Sequence, residues 1–167
     1  MRKALIGIVF SFAGVAHADE VVIAALGDSL TQGYGLPAQD GFVPQLQRWL
    51  TAAGADVRLI NAGVSGDTTA GGLARVDWTL TPEVDGMIVA LGGNDLLRGL
   101  DPVQARGNIE GILQAANTAE VEVLLVGMQA PGNFGADYKS QFDPLYPELA
   151  QKYSSLLLEI GRRGCAA

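Results

Sequence analysis

Val21-Val22-Ile23-Ala24-Ala25-Leu26-Gly27-Asp28-Ser29-Leu30 is the stretch that decides the fold. Its apolar part, Val21 to Leu26, runs without polar alternation and stops at a Gly-Asp-Ser turn. A run so short and continuous suits a strand buried on both faces, as strands of parallel sheets are. The pattern returns at Val57 to Ile60, Met87 to Leu91 and Val121 to Met128. Between these runs the apolar residues take helical spacing: Phe42, Leu46, Trp49 and Leu50 share one face, as do Leu73, Val76 and Leu80, then Ile109, Ile112, Leu113 and Ala116. Asp101-Pro102 reads as an N-cap followed by proline at the first helical position. Strand and helix alternate along the chain, which predicts an α/β fold: a central parallel sheet covered by helices and joined by right-handed crossovers.

The ends of the chain read differently from this middle. Arg2 and Lys3, the apolar stretch Ala4 to Val15 and the small-x-small triplet Ala16-His17-Ala18 have the form of a secretory signal peptide over residues 1–18. A membrane anchor would need a run of about 20 apolar residues, and this one is shorter. Export predicts a periplasmic or secreted protein, and residues 19–167 then form one domain with apolar content enough for a substantial core. The formal charge is −7, and losing Arg2 and Lys3 with the leader lowers it by two, to −9. Such a surface repels a phosphate backbone, so nucleic acid is excluded as a partner. One cysteine, Cys165, and one histidine, His17, are too few for the common zinc arrangements. No metal and no cofactor are expected.

In a parallel sheet, ligands gather at the carboxyl ends of the strands. Three polar blocks follow predicted strands: Gly27-Asp28-Ser29-Leu30, Ser65-Gly66-Asp67-Thr68 and Gly92-Gly93-Asn94-Asp95. The fold therefore brings them to one edge. Ser29, at a strand-to-helix turn, can present its hydroxyl to a carbonyl while its own N–H faces the developing oxyanion; Asp28 or Ser29 can equally serve only to cap the helix. Gly66 offers a backbone N–H donor or a turn glycine. Asn94 offers a side-chain amide donor or a loop residue bonding its own backbone. Asp67 and Asp95 read as residues that brace the loops.

Together the blocks G-D-S-L-T, N-A-G-V-S-G-D-T and L-G-G-N-D-L-L-R-G resemble the SGNH, or GDSL-type, hydrolase family, in its small bacterial periplasmic branch of arylesterases and acyl-thioesterase/lysophospholipases. The resemblance implies a three-layer, flavodoxin-like fold and a serine hydrolase that cleaves carboxylic esters or thioesters through an acyl-enzyme. It implies Ser29 as nucleophile, with an oxyanion hole from Ser29, Gly66 and Asn94. The segment Gly132 to Tyr138 stands where such enzymes carry a mobile substrate loop, so Asn133, Phe134 and Tyr138 are its candidate substrate residues. The implied partner is a small acyl ester or thioester, with polysaccharide deacetylation a further possibility within the family.

The departure is at the C-terminus. Where the family carries a D-x-x-H block supplying the orienting acid and the base, this chain runs Gln151-Lys152-Tyr153-Ser154-Ser155-Leu156-Leu157-Leu158 and stops nine residues later, and no D-x-x-H occurs anywhere in it. Carboxylates are too acidic at neutral pH to replace the histidine, and no lysine lies in the three blocks. The chain therefore reads as a C-terminally truncated copy, short of its last elements, the last strand and last helix among them. Low activity is expected, and the alternative function is a non-catalytic acyl- or glycan-binding protein descended from a hydrolase.

Overall fold

A computed structural model of the chain describes residues 20–160. The leader read at residues 1–18, with His17, lies outside the described residues, as does Cys165. The sheet consists of β1 (Val21–Gly27), β2 (Val57–Gly63), β3 (Gly86–Ala90), β4 (Glu122–Gly127) and β5 (Leu156–Glu159). All pairings are parallel and the strand order is β2-β1-β3-β4-β5. This is the flavodoxin-like order, which reverses direction between β1 and β3 and opens a crevice there at the carboxyl ends.

Helices α1 (Ser29–Gln32) and α2 (Phe42–Ala52) join β1 to β2. Helix α3 (Thr69–Thr79) joins β2 to β3, and α4 (Gly93–Leu97) with α5 (Pro102–Thr118) joins β3 to β4. Helices α6 (Ala136–Phe142) and α7 (Leu145–Tyr153) lead from β4 to β5. Alternate residues of each strand serve opposite faces, as strand geometry requires. Ala24, Leu26, Met87, Val89, Val123 and Leu125 pack against α3, α5, α6 and α7 in the larger core. Ile23, Ala25, Ile88 and Val126 pack with Val43 and Leu46 of α2 in the smaller one. Both faces of the central strands are thus dry, which is why those strands read as unbroken apolar runs.

Helix α5 is as the sequence predicts. Ile109, Ile112, Leu113 and Ala116 are all buried, and the Asp101 side chain accepts from Val103 N at 2.9 Å with Pro102 beginning the helix. Helix α2 differs. Its inward residues are Val43 and Leu46, whereas Phe42 is 44% and Trp49 67% exposed. Phe42 and Trp49 lie outside the part of the helix that packs on the sheet, and spacing alone does not locate the centre of an apolar arc. The other departure is β5, a fifth strand where the sequence reading expects a loss; the described residues end just after it, and no helix following it is among them.

The two borders of the sheet are built differently. On β2, Gln47 from α2 behaves like a neighbouring strand: its Nε2 donates to Val57 O at 2.7 Å and its Oε1 accepts from Leu59 N at 2.8 Å. On the opposite border, β5 adjoins no further described strand, and Leu156, Leu158 and Ile160 stand exposed.

Candidate active site

Strand β1 ends at Gly27, and the chain turns at once into α1. Asp28 caps that helix, its Oδ1 accepting from Leu30 N at 3.0 Å, and Ser29 is half-buried in the first turn. The turn is tight because α1 lies directly on the end of β2: a Cβ built at Gly63 would fall 2.3 Å from Gln32 N. Block one is therefore fixed by the ends of two neighbouring strands.

Gly66, three residues past Gly63 at the end of β2, has φ of +83°, a conformation that glycine adopts without strain. Its carbonyl accepts from Arg98 Nη2 at 2.8 Å. Arg98 follows α4, the helix that begins at Gly93 and carries Asn94. Asn94 Nδ2 donates to Asp67 O at 2.8 Å and to Asp28 Oδ2 at 3.3 Å. Both partners are pure acceptors, which fixes the nitrogen of this amide on their side. One side chain of block three thus touches the residue before Ser29 and the residue after Gly66. The three blocks meet, as the sheet topology predicts.

The two acids read as braces are placed as such. Asp95 is 2% exposed and accepts Thr69 N at 2.8 Å and Thr69 Oγ1 at 2.6 Å, while Asn108 Nδ2 donates to the same hydroxyl at 3.0 Å. This ties α4 to the start of α3 and to α5. Asp67 accepts from Arg75 Nε at 2.7 Å, and Arg75 also donates to Ala62 O and Gly27 O. Arg75, Arg98 and Thr69 escape a reading that follows only the motif blocks. The signal available for Arg75 is its spacing of four from Gly71 on α3, one turn apart on the helix face that looks back to Asp67.

The loop after β4 brings Phe134 and Tyr138 into a ladder of rings. Phe134 and Tyr138 have centroids 5.1 Å apart, Tyr138 and Phe142 5.9 Å, and Phe142 and Tyr146 5.8 Å. Tyr138 Oη donates to Leu100 O at 2.8 Å, and Tyr146 Oη donates to Leu91 O at 2.8 Å, immediately before block three. Asn133 is exposed on the same loop and is outside this ladder. Burial, with the nearby carboxylate of Asp95, pushes the Tyr146 phenol above its ordinary range, and the same causes raise Tyr138. Both phenols therefore stay protonated at working pH and serve as donors, so neither can take a proton from Ser29. No histidine stands among the described residues.

Exposed apolar side chains flank each block: Leu30, 81% exposed, follows Ser29, Val64 precedes Ser65, and Leu97, 84% exposed, is three residues beyond Asn94. A cleft of about 470 Å³ lies elsewhere, at the amino ends of β4 and β5 between Asn117, Glu122, Tyr153 and Ser154. Among the described residues, no cluster of three or more His, Cys, Asp or Glu side chains is placed to hold a metal ion, and no helix is long and apolar enough to cross a membrane.

Residues 25–165 match the GDSL-like Lipase/Acylhydrolase family. Over 137 residues the chain is 39% identical to Esterase TesA of Pseudomonas aeruginosa, covering 81% of this chain and 68% of that protein. It is 34% identical over 145 residues to an arylesterase of Vibrio mimicus, covering 85% of this chain and 71% of the other. Among solved structures it is similar to AlinE4, an SGNH-hydrolase family esterase, with a TM-score of 0.81 at 47% identity, over 86% of this chain and 77% of that one.

Proposed function

Since the chain belongs to the GDSL-like lipase/acylhydrolase family, we propose that it is a serine hydrolase of small acyl esters or thioesters, with Ser29 as the nucleophile. Attack of Ser29 Oγ on the acyl carbonyl transfers the acyl group to the serine and expels the alcohol or thiol; water then releases the acid. The N–H groups of Ser29 and Gly66 and the Asn94 amide receive the oxyanion that forms at each step. The observation that carries this reading is the pair of hydrogen bonds that Asn94 Nδ2 donates to Asp28 Oδ2 and Asp67 O, which gathers the three blocks around one point. Of its two bonds, the 3.3 Å contact to Asp28 is long for a charge-assisted one, so that donor turns to a substrate oxygen with the smaller loss. Leu30, Val64 and Leu97 offer the acyl group an apolar border, and Phe134 and Tyr138, with Asn133 at the tip, form the loop over it.

The base is the part of the mechanism for which this sequence offers no D-x-x-H. A site with nucleophile and oxyanion hole but lacking a triad member retains about a thousandfold to ten-thousandfold over water, and this chain is expected to work at that level. Hydrolysis of short-chain aryl esters and thioesters, with Ser29→Ala as the blank, is the test. A slow Ser29-dependent rate supports the reading, and an ordinary enzymatic rate shows that a base operates within the chain. Ligand binding without any Ser29-dependent turnover makes it an acyl- or glycan-binding protein. Exported material is expected to begin at Asp19, which mass spectrometry of periplasmic or secreted fractions reads directly.

A further inference from the structure

We infer that Arg75 is a positioning residue of this site, a side chain that acts through Asp67 to hold the Gly66 peptide and the Asn94 amide in one arrangement. The inference rests on the reading of those two groups as oxyanion donors. Arg75 projects from the middle of α3 and its planar fork reaches three segments at once. Nε donates to Asp67 Oδ2 at 2.7 Å, Nη1 to Ala62 O at 2.7 Å and Nη2 to Gly27 O at 2.9 Å. Gly27 and Ala62 are at the ends of β1 and β2, where the two strands part to become the loops of Ser29 and Gly66. Gly27 O accepts from Val64 N as well, at 3.0 Å, so the guanidinium closes the last rung of the ladder. Asp67 is the next residue after Gly66, and its own carbonyl is the acceptor at 2.8 Å from Asn94 Nδ2. A displacement of Asp67 therefore moves one oxyanion donor through the chain and the other through a hydrogen bond.

The local sequence makes room for this clamp. Gly71, one turn before Arg75, presses on the Asp67 carboxylate: a Cβ built there would fall 2.5 Å from Asp67 Oδ1. The Arg75–Asp67 pair is mostly shielded, with 22% and 17% of the two side chains exposed. Three acceptors in fixed directions suit a guanidinium and not an ammonium, which supplies a point charge without the fork.

The test uses the full chain and the variants Arg75→Met, Arg75→Lys and Gly71→Ala, the last displacing Asp67 with Arg75 intact. Two readouts are taken on protein shown by circular dichroism to be folded. The first is the pair of Asn94 side-chain amide resonances in the ¹H–¹⁵N spectrum, assigned with Asn94→Asp. The second is modification of Ser29 by an alkyl fluorophosphonate, resolved into the saturation constant and the maximal rate. Arg75→Met is expected to move or broaden the Asn94 resonances and to lower the maximal rate by about a hundredfold to a thousandfold, the range for a lost oxyanion donor, with the saturation constant within about threefold. Gly71→Ala changes both in the same direction, and Arg75→Lys recovers part of each. A merely structural role lowers the melting temperature and leaves both readouts of the folded protein in place, and that result overturns the inference. If Arg75→Met does not fold, Gly71→Ala and Arg75→Lys decide by the same criteria. If the reagent never modifies Ser29 in the parent chain, the hydrolase reading fails while the Asn94 resonances still decide the role of Arg75.

Discussion

Replacing Asp95 separates a bracing acid from a bystander, and the structure fixes the size of the effect. Asp95 accepts two hydrogen bonds from one residue, Thr69, through N at 2.8 Å and Oγ1 at 2.6 Å. With 2% of Asp95 exposed, water cannot easily replace those acceptors. Asp95→Ala leaves two buried donors without a partner, each costing about 1–3 kcal/mol, so the loss is about 2–6 kcal/mol. Against the total of about 5–15 kcal/mol typical of a domain, this is a large fraction. Asp95→Asn keeps the shape and is milder. Its oxygen serves Thr69 N, its amide donates to Thr69 Oγ1, and only the hydroxyl proton is stranded, a loss of about 1–3 kcal/mol. Urea unfolding read by circular dichroism gives both values, and a cycle with Thr69→Val should show coupling of about 1 kcal/mol or more. Equal losses for the two Asp95 variants, or a loss below about 1 kcal/mol for Asp95→Ala, would refute the account of Asp95 as the acceptor that joins α4 to α3.

Gly92→Ala should be severe, because φ is +115° and the added Cβ would fall 2.0 Å from Tyr146 Oη; strain and overpacking together predict about 2–6 kcal/mol by thermal unfolding. Combining it with Tyr146→Phe should return the overpacking share and leave the strain, so the pair is less than additive. The hydrogen bonds of Lys152 and Tyr153 hold the Glu110 carboxyl below its ordinary range, so its stabilisation is present above the unfolded-state pKa and is lost as pH falls through the lower folded value. Glu110→Gln should therefore flatten the decline of melting temperature between about pH 5 and pH 3, and 1 M salt should narrow the difference; an identical decline in both proteins counts against it. Tyr138→Phe removes the bond to Leu100 O, and limited proteolysis should then cut residues 132–137 faster while the melting temperature shifts little.

The strands that the sequence reveals are those buried on both faces. Val21 to Leu26 and Met87 to Leu91 are continuous because α2 covers one side and α3 and α5 the other. Strand β5 is hidden for the opposite reason: at the border of the sheet it is four residues long, and the turn before it is made by Ser154 at φ +53° rather than by the glycine or proline that marks most turns. The site divides in a similar way. Ser29, Gly66 and Asn94 stand in short polar blocks directly after strands, where topology alone brings them together. Arg75 and Thr69 are on a helix between strands, and their partners are backbone groups and acids that become neighbours only when β1, β2 and α3 are assembled. The inward face of α2 is unclear for a third reason, since Phe42, Val43, Leu46, Trp49 and Leu50 span an arc wider than the part of the helix that packs on the sheet.

The Gln47 side chain described above limits how a further strand can join the β2 border of the sheet. With Gln47 occupying the backbone groups of Val57 and Leu59, β2 has nothing to offer an incoming strand at those positions. An exposed sheet border ordinarily templates pairing with a further strand, and the Gln47 amide takes away that template where β2 begins.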